Sequence, residues 1–94
     1  MTVPAHPKQQ SHRWTKEQIR HARSVPLAPL LLKRGLKLLP LNAGNFALEQ
    51  HPGLLIKDSY WRWPKRELAG NTIDFFTKVL HRSFQQAMED ITQA

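Results

Sequence analysis

The chain has 94 residues, with 14 lysines and arginines against seven acids and no cysteine, so its formal charge is +7 and its pI lies near 10.4. The missing thiols exclude a disulfide framework and every thiolate zinc site, and no apolar run reaches the ~18 residues that a membrane helix needs. Such a positive balance points to a polyanionic partner: nucleic acid is the commonest inside cells, with ribosomal contacts, acidic proteins and anionic lipid heads as other classes.

Residues 1–13 (MTVPAHPKQQSHR) show no apolar periodicity and are expected to form a disordered arm. They also lack the apolar stretch of a signal peptide. Residues 14–94 are expected to form one domain. Its first element is the helix of TKEQIRHAR, where Thr15 can cap and Gln18, three residues on, can return the bond. Trp14, one place before the cap, either staples this helix or stays exposed as a partner contact. In SVPLAPLLLKRG, Pro26 and Pro29 near the start and Gly35 at the end frame a short second helix, with Leu30, Leu31 and Leu32 as core.

From LKLLPL to YWRW the pattern turns to short extended runs broken by NAGN, HPG and KDS, which predicts an antiparallel meander. Pro40 assigns the first strand to an edge. GLLIK and YWRW flank Asp58 and Ser59 as a hairpin, and strand alternation puts Trp61 and Trp63 on one face and Tyr60 and Arg62 on the other. Asn71 with Asp74 then starts a helix carrying Ile73, Phe76 and Leu80 at helical spacing. Ser83 with Gln86 starts a last one with the stripe Phe84, Ala87, Met88 and Ile91. The expected class is α+β: a small antiparallel sheet of three to four strands, flanked by N-terminal helices and two C-terminal helices.

The segment GNTIDFFTKVLHRSFQQAMEDI, Gly70 to Ile91, resembles the end of the zinc-binding domain of bacterial replicative primases. In that family a Gly-Asn/Asp-x-Ile-Asp-Phe segment, an apolar helix, a Ser-Phe and an Ala-containing helix follow the last zinc ligands. Upstream, YWRWPKRELAG falls where the family has an aromatic strand and a Cys-x-x-Cys pair, with Trp63 and Arg66 at the two cysteine positions. LEQH falls near the family's Cys-x-x-His, with Leu48 in place of cysteine and His51 at the histidine. The likeness runs from about Ser24 to Ile91 and is densest at its C-terminal end.

With three of the four ligands absent, the resemblance implies a zinc-less version, of the kind that precedes toprim-type catalytic domains in replication and mobile-element proteins. Trp63 and the leucines near Leu48 are then expected to fill the zinc position by packing, one large buried side chain contributing ~1.5–3 kcal/mol. The five histidines, His6, His12, His21, His51 and His81, show no helix-face ligand spacing, so no metal or other cofactor is expected.

No catalytic residue is expected either. The acids Glu17, Glu49, Asp58, Glu67, Asp74, Glu89 and Asp90 form no carboxylate cluster for divalent metal, and Asp74 reads as a helix N-terminal acid. Binding fits better. The domain that this chain resembles contacts single-stranded template along its sheet, and such surfaces combine cations for phosphate with aromatic faces for bases. The candidate nucleic-acid residues are Lys57, Tyr60, Arg62, Lys65, Arg66, Lys33 and Arg34. A further basic group, Arg13, Lys16, Arg20 and Arg23, lies in HRWTKEQIRHAR. The expectation is a cytoplasmic, non-catalytic module that binds DNA, single-stranded by preference, beside a primase-like catalytic domain or a replication protein. The alternative is a protein adaptor using Trp14, Tyr60 and the leucine-rich segment.

Overall fold

A computed structural model describes residues 13–93 and shows an α+β domain. The expected arm at residues 1–13 lies outside the described residues except for Arg13. Helix α1, Lys16–Arg23, begins at the expected capping box: Gln18 N–H donates to Thr15 Oγ1 (3.0 Å) and Thr15 N–H to Gln18 Oε1 (2.8 Å). Helix α2, Leu27–Lys33, follows with Pro29 in its first turn, where no intrahelical N–H is required. It ends in a Schellman turn: Leu36 N–H reaches Leu31 O and Gly35 N–H reaches Leu32 O, both at 3.0 Å, with Gly35 left-handed at φ 85°. Three consecutive leucines spread over some 200° of a helix, so they cannot all face inward. Leu30 and Leu31 are buried, whereas Leu32 is 60% exposed, against expectation.

The sheet has five strands, not three to four. They are β1, Leu38–Pro40; β2, Asn45–Leu48; β3, Leu55–Lys57; β4, Tyr60–Trp63; and β5, Leu68–Gly70, paired antiparallel in chain order. β1 is an edge, as Pro40 requires. The extra strand, β5, follows a single 3₁₀ turn, Pro64–Arg66, closed by Glu67 in the left-handed region (φ 57°). Its short LAG sequence carries no alternation by which it could be recognised.

After β5, helix α3, Thr72–Asp74, widens into a π-helical turn over Phe75–Val79, with Leu80 N–H reaching back five residues to Phe75 O at 3.2 Å. Helix α4, Phe84–Thr92, starts at the Ser83/Gln86 capping box. Ala87, Met88 and Ile91 are buried, but Phe84, the first helical residue, is half exposed. Half-buried Trp14 donates its indole N–H to Gln85 Oε1 (3.1 Å), so it anchors the start of α1 to α4.

One face of the sheet carries Leu48, Ile56, Trp61 and Trp63 into a single core with Leu27, Leu30 and Leu31 of α2, Phe75 and Phe76 of the π turn, and Met88 and Ile91 of α4. Trp61 meets Phe75 edge-on at 5.6 Å and donates its indole N–H to Asn71 O at 2.8 Å. The strand therefore reads outside, inside, outside, inside from Tyr60 to Trp63.

Candidate nucleic-acid interface

Among the described residues no helix covers the opposite face of the sheet, where Leu39, Leu41 and Tyr60 are exposed. Strand register lays two rows of side chains across it. One row runs Leu39, Ala47, Leu55, Arg62 and Ala69; the other runs Asn45, Lys57 and Tyr60, with Leu41 beside Asn45 through the bond from Leu41 N–H to Asn45 O (2.8 Å). Tyr60 stands directly across from Lys57 and is 69% exposed, an unusual position for a phenol ring in a domain this short of core. Arg62, two residues along β4, shares that face. Lys57, Tyr60 and Arg62 thus meet on this face, and together with Leu41, Asn45 and Leu55 they surround a shallow hollow.

Two contacts hold this hairpin in place. Asp58, left-handed at φ 56°, turns the chain, and its carbonyl accepts from Leu27 N–H at 3.0 Å, so the turn also satisfies a free donor at the start of α2. The fully buried Thr72 donates its hydroxyl to Val25 O at 2.6 Å and lies 3.5 Å from Ser59 O. The hairpin tip is thereby fastened to the α1–α2 connection and to α3.

Lys65 and Arg66 lie on the 3₁₀ turn after β4, both exposed. Arg66 places its guanidinium over the Trp63 ring, 4.8 Å from the centroid, while His51 meets the same ring edge-on at 5.3 Å and 69°. Trp63 donates its indole N–H to Pro52 O (3.1 Å), and His51 N–H reaches Leu48 O (3.3 Å). His51 and Arg66 therefore meet on the Trp63 indole, and Leu48 is tied to His51 through its backbone carbonyl. Burial, and then the Arg66 charge, push the His51 imidazole below its usual range.

Lys33 and Arg34 are not part of this surface. They sit at the C-terminal end of α2 in the helical layer, where Arg34 lies 3.6 Å from Asp90 and over the Phe76 ring at 5.5 Å. Asp90 is also held by a fork from Arg82, Nε at 2.7 Å and the terminal nitrogen at 3.1 Å. Sequence reasoning grouped Lys33 and Arg34 with the hairpin because charge alone carries no direction. Leu39, Leu41, Asn45 and Leu55 join the surface without a charge to mark them, and the alternation of β1, β2 and β3 was the available signal.

Asp74, the acid within GNTIDFF, is a capping residue: Asn71 N–H donates to its Oδ2 (3.0 Å) while Asp74 N–H donates to Asn71 Oδ1 (3.1 Å). Among the described residues no group of three or more histidines and acids is arranged to hold a metal ion, and no helix is long and apolar enough to cross a membrane.

The chain is similar to an uncharacterized protein of Bacillus anthracis, pXO2-78, with 29% identity over 84 residues. The match covers 87% of this chain but 24% of the relative, so the chain spans about a quarter of that protein's length. No family model matches, and no solved structure matches.

Proposed function

We propose that this domain is a non-catalytic module that binds single-stranded DNA across the open face of its sheet, alongside a primase-like catalytic domain or another replication protein. The observation that carries this reading is the Lys57–Tyr60–Arg62 group: one exposed ring between two cations on a rigid hairpin, the combination that a stacked base and its phosphates require. Lys65 and Arg66 extend the positive charge beyond the end of β4. The meeting of His51 and Arg66 on the Trp63 indole supports kinship with a primase zinc-binding domain whose metal has been replaced by packing.

A second reading, a protein adaptor, is favoured by Leu39 and Leu41, exposed by 43% and 46% at the β1 side of the same face. Fluorescence anisotropy with labelled single-stranded DNA, duplex DNA and RNA at several salt concentrations separates the two. The nucleic-acid reading expects tightest binding to the DNA single strand, with a log–log salt slope that falls by about 0.7 for each phosphate contact removed by Lys57→Ala or Arg62→Ala. Arg34→Ala should leave that slope unchanged. Absence of binding at low salt, with circular dichroism showing an intact fold, refutes the reading and leaves the adaptor.

A further inference from the structure

The hollow on the open face has a definite construction. Half-buried Leu55 lies on its floor, Leu41, Asn45, Lys57 and Tyr60 follow one another across it, and Arg62 stands beside Leu55. From the edge of the sheet to β4 is three inter-strand steps of ~4.8 Å, about 14 Å between backbones before side chains narrow the gap. The cavity volume is about 310 Å³, at the small end of the range for ligand pockets. Asn45 is held by its own bond, Nδ2 donating to Asn42 O at 3.0 Å, and among the described residues its Oδ1 accepts no hydrogen bond.

We infer that this hollow is a nucleobase pocket: one unpaired base enters between Tyr60 and Leu41, its edge facing the Asn45 Oδ1 and its flanking phosphates on Lys57 and Arg62. The inference rests on the proposed single-strand function and sharpens it, because it makes base insertion, and not backbone charge alone, the source of strand preference. The apolar Leu41, Leu55 and Tyr60 side chains suit a flat heterocycle, and the long cationic side chains of Lys57 and Arg62 complement the phosphates on either side of it. A base within a duplex presents neither face, so duplex DNA would reach only the cations.

The test fills the hollow without changing charge. Leu55→Trp places an indole on its floor, and Asn45→Phe narrows it from the side; each is checked by circular dichroism and thermal unfolding. Either filled variant is expected to bind a short labelled oligo(dT) about tenfold more weakly than wild type, the size of one lost base stack, with an unchanged salt slope. The companion measurement uses the wild-type protein and an otherwise identical oligonucleotide whose bases are replaced by abasic sites. That strand should also bind about tenfold more weakly, at an unchanged slope. If wild type binds oligo(dT) and the abasic strand equally, the pocket is overturned while the strand-binding function stands. If neither strand binds at low salt, both fall.

Discussion

Gly70, at the start of the GNTIDFF segment, leaves no room for a side chain. A Cβ added there would lie 2.7 Å from Asp74 Cγ and 2.5 Å from Asp74 Cβ, and would overlap the Oδ2 that accepts the Asn71 N–H. Gly70→Ala therefore carries an overpacking cost of ~1–3 kcal/mol together with loss of the cap, ~1 kcal/mol. Restricting the unfolded chain returns only ~0.4–1 kcal/mol. The net is about 1–3.5 kcal/mol, which in a domain of this size lowers the thermal midpoint by ~5–25 °C. Urea unfolding followed by tryptophan fluorescence is a suitable assay, since the Trp61 indole is bonded to Asn71, the next residue. Asp74→Ala removes the carboxylate but keeps Cβ, so Gly70→Ala in that background should still cost the overpacking part. The double variant should be about 1 kcal/mol more stable than the two single costs predict, since the cap is lost only once. Complete rescue by Asp74→Ala, or full additivity of the two changes, refutes this account of the segment.

The leucine run gives a sharp contrast: Leu31→Ala should cost about 2–5 kcal/mol, whereas Leu32→Lys, on a side chain already in water, should stay within about 0.5 kcal/mol in the same urea assay. Acidification should weaken the fold through His51. Its folded pKa is depressed, so the unfolded chain takes up the proton first. The contribution is complete above the ordinary histidine range of about 6.5 and is lost as pH falls through that range towards the lower folded value. His51→Phe should flatten the stability profile between about pH 7 and 5, and an unchanged slope in that variant would show that other groups cause it. Asp90→Asn leaves Arg82 and Arg34 without their shared carboxylate, so thermal stability should drop at low salt, and high salt should narrow the gap from wild type.

The parts of the fold legible in the sequence are those fixed by local chemistry. Thr15 with Gln18, Asn71 with Asp74, and Ser83 with Gln86 each name a helix start from side chains that satisfy nearby backbone groups. The period of two in YWRW likewise sorted buried tryptophans from an exposed tyrosine and arginine. What stayed hidden depends on distant partners. β5 is a strand because Trp61, Arg62 and Trp63 pair with Gly70, Ala69 and Leu68, and nothing in LAG encodes that by itself. The inward choice of Leu30 and Leu31 over Leu32 is set by the sheet beneath them, and the π turn by the packing of Phe75, Phe76 and Val79.

The candidate site follows the same division. The net charge of +7 promised a polyanion surface without locating it, and the structure distributes those cations very unequally. Arg34 and Arg82 converge on Asp90 in the helical layer, where a carboxylate already accounts for part of their field. Lys57, Arg62 and Lys65 have no carboxylate within salt-bridge distance among the described residues. Arg66 is different again: the Trp63 ring holds its guanidinium with little loss of charge, since a π face attracts a cation without neutralising it. A buried indole that packs the core on one side and steadies a cation on the other links the two halves of the molecule. Fold stability and surface charge on the hairpin are therefore coupled at Trp63, and a substitution there would be read wrongly if scored for stability or for binding alone.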